Sequence, residues 1–180
     1  MPISVIQSGS STTFSVIIDQ TITFKRKMSK LDTKIPPVLV MILIAILMFL
    51  TNQYLFHNEL NSLASYALGS FFLLLSAVTG VLAVYEFYKY RTTVDPTDPG
   101  KVTRLVKTGI FTVSRNPMYL ALTLLLVSFA FYIRAPLTIP LIFLFIFYMN
   151  KYQIKPEERV LREKFADEFS RYQQKVRRWI

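Results

Sequence analysis

Groups able to do chemistry near neutral pH are concentrated in three stretches: Thr92 to Lys101, Leu105 to Tyr119, and Lys155 to Arg159 with the residues after it. The first reads Thr-Thr-Val-Asp-Pro-Thr-Asp-Pro-Gly-Lys, where prolines and glycine favour a loop. In the second, Ser114 or Asn116 can cap a helix whose first turn takes Pro117, which has no N–H to leave unpaired. Arg115 can snorkel there, and Tyr119 can sit at an interface. In the third, Pro156 suits a first helical turn, and Glu157 and Glu158 fall at its positive end. What these groups can do is bounded by what the chain lacks. It has no cysteine and a single histidine, His57, so thiol nucleophiles, Cys-ligated zinc, iron–sulfur clusters and His-rich metal sites are excluded.

The elements that position these stretches are strongly apolar. Of 180 residues, 52% are hydrophobic and the mean hydropathy is +0.38, too apolar for an ordinary soluble domain. Val38 to Phe56 and Leu63 to Tyr85 are uncharged runs of 19 and 23 residues, each long enough to cross roughly 30 Å of hydrocarbon. Met118 to Ile133 and Ala135 to Asn150 are uncharged runs of 16 residues separated by Arg134. At about 24 Å of helix each, they are either short spans or a hairpin within one leaflet. After them Leu161, Phe165, Phe169, Tyr172 and Val176 recur at helical spacing, which predicts an amphipathic helix at the membrane surface. The predicted fold is therefore all-α and integral to the membrane, with about four transmembrane helices and a C-terminal amphipathic cytoplasmic helix.

Net charge is +10, and the position of the charges gives it meaning. If four segments cross, 20 of the 21 lysines and arginines share one face, and Arg134 stands alone opposite. The positive-inside rule then places both termini and the long central loop in the cytoplasm, at the inner or plasma membrane in a bacterium. Topology accounts for the basic residues without nucleic acid as a partner. Residues 1–34 read as an N-terminal extension and 35–180 as the membrane domain. Residues 1–27 carry a Ser/Thr-rich run and a short β-prone run but no signal-peptide core, and are expected to be dispensable. Loss of activity on starting at Met28 would refute that.

Leu105-Val106, Gly109-Ile110-Phe111 and Arg115-Asn116-Pro117-Met118-Tyr119, followed after a hydrophobic hairpin by Glu157-Glu158-x-x-Leu161, Phe165, Glu168-Phe169, Tyr172 and Val176-Arg177-Arg178-Trp179, form a recognisable order. It resembles the isoprenylcysteine carboxyl methyltransferase and phospholipid methyltransferase group of integral membrane enzymes, over roughly Pro36 to Trp179. The resemblance implies methyl transfer from S-adenosylmethionine, with S-adenosylhomocysteine as product and a lipidic acceptor entering from the bilayer. Cofactor contacts would fall on Thr103, Arg104, Leu105, Val106, Phe111, Arg115, Asn116, Pro117, Met118, Tyr119, Glu157 and Glu158, with Glu158 as anchor. No Gly-x-Gly-x-x-Gly is present, so a Rossmann methyltransferase is unsupported.

The electrophile is activated by the cofactor's sulfonium, so positioning and exclusion of water can supply most of the rate, and no residue is assigned as catalytic acid or base. A prenylcysteine-type carboxylate is the favoured acceptor; a phospholipid amine, a thiol, or a non-enzymatic scaffold role are the alternatives. Three departures bear on this. Asn116 replaces the usual histidine, and Phe111 replaces a frequent tyrosine. The arginine that receives the substrate carboxylate in eukaryotic members is absent; its neighbourhood offers Lys151, Gln153 and Lys155 instead. The sequence is silent on oligomeric state.

Overall fold

The computed structural model describes residues 35–55, 62–90 and 104–180, all within one compact unit, Thr33–Ile180. The N-terminal extension, His57, Thr103 and the loop 92–101 lie outside the described residues. Every regular element among the described residues is helical.

Helix α1, Pro37–Leu55, starts where Pro37 can occupy the first turn. It buries Val40, Ile44 and Met48, four residues apart, and leaves Leu39, Leu43 and Ile46 exposed. That is a helix with one face on protein and apolar residues everywhere else. Helix α2, Ser62–Lys89, runs a turn past the predicted Tyr85, because Glu86 is accommodated inside the protein and does not end the span. Its buried face is a stripe of small residues, Ser65, Gly69, Ser76, Thr79 and Ala83. A Cβ on Gly69 would come 3.1 Å from the Tyr132 ring. Ser128 Oγ donates to the Gly69 carbonyl at 2.7 Å, and Ser76 Oγ to the Ala121 carbonyl at 2.8 Å. Close approach through small residues and interhelical hydrogen bonds is how helices associate where water supplies no hydrophobic drive.

Helix α3, Pro117–Tyr132, is the hub. It packs on α1, α2 and α4, while α1 and α2 make no substantial contact with each other. After α3 the chain reverses at Arg134, which has φ 54, and Asn52 of α1 donates to the Ile133 carbonyl at 3.1 Å. The predicted fourth run then divides into a 3₁₀ turn at Pro136–Thr138, helix α4 at Ile139–Met149 and a π turn at Asn150–Ile154, which leads directly into helix α5, Lys155–Lys175.

Three stretches among the described residues are long and apolar enough to cross a membrane: Pro37–Tyr54, Ser62–Lys89 and the continuous run beginning at Pro136. α3 is apolar but shorter. The apolar part of the last run ends at Met149, and the charges gather in α5. Of the predicted apolar series only Phe169 and Tyr172 are buried on α5, Val176 lies beyond its end, and the helix is not regular: Ala166 has φ 30 and kinks it. The last residues, from Val176, turn back over the start of α3, where the Arg115 amide donates to the Arg177 carbonyl at 3.1 Å.

Candidate functional site

A cavity of about 540 Å³ lies at the charged end of the helices. The N-terminus of α1 contributes Pro36 to Val38, and α2 contributes Gly80, Val84 and Phe87. Arg104, Leu105, Val106 and Phe111 come from the segment before α3, Arg115 to Tyr119 with Ala121 and Leu122 from the start of α3, and Glu157, Glu158, Leu161, Phe169 and Tyr172 from α5. Its size is that of a small-molecule site, and its mostly apolar wall interrupted by a few converging charges is the usual composition of one.

The wall segment at Phe111 is fixed from two sides. A 3₁₀ turn, Gly109–Thr112, presents Phe111 edge-on to Phe87, with centroids 5.2 Å apart. Thr108 Oγ1 donates to Glu86 Oε2 at 2.6 Å, and Tyr172 OH donates to the Phe111 carbonyl at 2.6 Å. Burial pushes the Tyr172 hydroxyl well above its ordinary value, which keeps it a donor.

Two adjacent glutamates meet different surroundings. Glu158, 7% exposed, accepts from Arg178 Nε on Oε1 at 3.0 Å and from Arg178 Nη2 on Oε2 at 2.6 Å, and Arg115 Nη2 lies 3.1 Å from Oε1. Its charge is matched by two guanidinium groups, one of them bidentate. Glu157 instead accepts a hydrogen bond from Tyr119 OH. It stays partly accessible because it lines the cavity, yet the apolar walls strip away most of its hydration, which pushes it up from 4.5 to about 8; the neighbouring Glu158 charge adds to the rise, and the Tyr119 hydrogen bond opposes it. Burial also lowers Arg115, against the pull of Glu158. Arg115 Nε and Nη1 are buried with no hydrogen-bond partner among the described residues, so this cavity-lining guanidinium has two donor atoms for a ligand.

The C-terminal segment belongs to the site. The Arg178 carbonyl accepts from Asn116 Nδ2 at 2.9 Å and from Ser114 Oγ at 3.4 Å, and Trp179 Nε1 donates to Asn150 Oδ1 at 3.2 Å. Asn116 therefore ties the tail to the start of α3 through its side chain; it makes no side-chain capping bond to the helix it precedes.

Of the residues singled out in the sequence for a cofactor, Arg104, Leu105, Val106, Phe111, Arg115, Asn116, Pro117, Met118, Tyr119, Glu157 and Glu158 all line this cavity, and Thr103 lies outside the described residues. The three offered for the acceptor do not line it. Lys151 is exposed over the rings of Phe147 and Tyr152, at 5.8 and 5.1 Å, and Lys155 is exposed. Gln153 is fully buried and donates to the Ile35 carbonyl at 2.7 Å. The π turn sets these side chains away from the cavity wall. Three residues of importance escaped the sequence reading: Glu86, taken as the end of a span; Arg178, noted only within a terminal pattern; and Gly80, which lines the cavity where α2 comes close to Ala121.

A family model for phospholipid methyltransferases matches residues 40–168. An uncharacterized protein of Haemophilus influenzae is 43% identical to the chain over 63 residues, which is 35% of this chain and the whole of that protein. No solved structure matches the chain at a significant level.

Proposed function

The chain belongs to the phospholipid methyltransferase family, and from that premise we propose that it moves the methyl group of S-adenosylmethionine to an acceptor embedded in the bilayer. One observation carries this reading: two motifs about 40 residues apart in sequence, Arg115 to Tyr119 and Glu157-Glu158, converge on the same cavity. The chemistry of the wall suits such a cofactor. Its aromatic side chains, Phe111 and Phe87 among them, can stack on a purine. The free Arg115 donors can receive the amino-acid carboxylate, and the carboxylates can meet an ammonium and a sulfonium. Glu158 serves as an anchor by holding Arg115 in place.

When bound, the cofactor supplies a methyl group on positive sulfur. The protein's contribution is to orient two reactants in line within an apolar, water-poor space. A bilayer-borne acceptor would meet the apolar part of the wall, which Gly80, Ala121 and Leu122 help to form. By the distribution of lysine and arginine, the termini and the cavity are cytoplasmic, and residues 35–180 form the catalytic unit.

The resemblance by itself favours a prenylcysteine-type carboxylate as acceptor. A different observation favours a phospholipid amine. Lys151 and Lys155, which would receive a carboxylate, stand outside the cavity, whereas Glu157 within it has no guanidinium on it among the described residues and suits a cationic headgroup. Calorimetric titration of detergent-purified protein with S-adenosylmethionine and S-adenosylhomocysteine tests the cofactor. Saturable micromolar binding is expected, weakened in Glu158→Ala by the order of 1.5–3 kcal/mol, the worth of a charge-assisted bond. Absence of binding by folded protein would refute the reading.

A further inference from the structure

Glu157 and Glu158 are neighbours on one helix and line one cavity, yet they are equipped for different tasks. Glu158 is held by three contacts from Arg115 and Arg178, which fix its charge and its orientation. Those contacts occupy both of its oxygens, so neither is left open towards a ligand. Glu157 has the opposite situation. Tyr119, from α3, donates to its Oε1, and the charge that acts on it from its own helix is the like-charged Glu158. Glu157 lines the cavity, and its Oε2 has no hydrogen-bond partner among the described residues.

Resting on the methyl-transfer reading above, we propose that Glu157 is the proton acceptor for a protonated amine, with Tyr119 holding its other oxygen, while Glu158, both oxygens occupied by its two arginines, serves only to hold Arg115. The need follows from the acceptor: an ammonium nitrogen has no lone pair, so it must lose a proton before it can attack carbon. The ammonium N–H bond breaks, its electron pair stays on nitrogen, and the proton forms an O–H bond at Glu157 Oε2. The nitrogen then forms a bond to the methyl carbon, and the electrons of the broken C–S bond remain on sulfur. Nitrogen regains a positive charge, sulfur becomes neutral, and Glu157 returns its proton to water as the product leaves. The apolar wall assists, because it penalises an ammonium–carboxylate pair relative to the neutral amine and carboxylic acid. The upward displacement of Glu157 to about 8 agrees with that environment, and because only its carboxylate form accepts a proton, amine methylation should rise with pH towards about 8.

The test compares wild type, Glu157→Gln and Tyr119→Phe on two lipids in detergent micelles: phosphatidylethanolamine, and an aminooxy-headed analogue whose nitrogen is already neutral near pH 7. With S-adenosylmethionine held at saturation, as fixed by calorimetry for each variant, Glu157→Gln should lose about 10²–10⁴-fold more in methylation of the amine than in methylation of the aminooxy lipid. Tyr119→Phe, which removes a bond that favours the carboxylate, should shift the pH–rate profile of amine methylation upwards. A pH-dependent infrared carboxyl band, present in wild type and missing in Glu157→Gln, reads the same group without turnover. Methylation of the amine by Glu157→Gln at the wild-type rate, or equal loss on both lipids, would overturn the proposal while leaving methyl transfer intact. So would a wild type that methylates only carboxylates. A wild type that fails to bind S-adenosylmethionine would remove the reading on which the proposal stands, and the proposal with it.

Discussion

Gly109 has φ +57, and a Cβ built there would run into the Glu86 carboxylate, with Glu86 Cδ only 2.7 Å away. The left-handed conformation alone costs an alanine about 1–2 kcal/mol, and the displaced carboxylate would lose the Thr108 hydroxyl. Gly109→Ala should therefore lower the melting temperature by several degrees and loosen Phe111, both measurable by thermal unfolding and ligand titration. Glu157 gives a second prediction at this scale. Its folded value, about 8, lies above its ordinary 4.5, so the folded protein keeps a proton that the unfolded chain releases. Stability should fall as pH rises from about 4.5 to about 8 and level off above, and Glu157→Gln should remove that slope in melting curves. The sequence singled out Glu157 and Glu158 as a pair, and the resemblance made Glu158 the anchor. The physical difference between them was not legible, because it lies in which guanidinium groups the tertiary fold delivers, and Arg178 arrives from 20 residues away.

Among the elements, the apolar runs were legible because length and lack of charge are local properties, and α1 and α3 fall within a residue or two of the predicted bounds among the described residues. The start of α3 was equally plain from Asn116-Pro117. Less legible was which helix packs on which. The stripe Ser65, Gly69, Ser76, Thr79 and Ala83 was present in the sequence as a period of small residues, but inside an apolar run it is masked by its larger neighbours. The break at Ala166 carries no sequence signal, since alanine is a strong helix former. The tail is likewise a tertiary feature, meeting Asn116, Asn150, Glu158 and the Arg115 amide at once. Ending the chain at Lys175 should expose Glu158 and free the 114–116 segment. We expect lower thermal stability and faster amide exchange at Arg115 and Asn116, and unchanged exchange there would deny the tail its structural role.

For the whole molecule, the separation of charge from hydrocarbon is the organising fact, with Arg134 the exception at the far reversal between α3 and α4. Because the chain has no cysteine, single cysteines map its topology against a clean background. In sealed inverted vesicles Arg171→Cys should react with a membrane-impermeant maleimide, and Arg134→Cys should react only after the membrane is opened. Equal labelling of both from one side would mean that α3 and α4 form a hairpin within one leaflet. The most direct measurement is transfer of isotope-labelled methyl from S-adenosylmethionine by purified protein in phosphatidylethanolamine-containing vesicles. Label should appear in the lipid, absent from boiled controls and strongly reduced in Glu157→Gln. Folded protein that binds the cofactor yet leaves every lipid unlabelled would contradict methyl transfer to a bilayer acceptor.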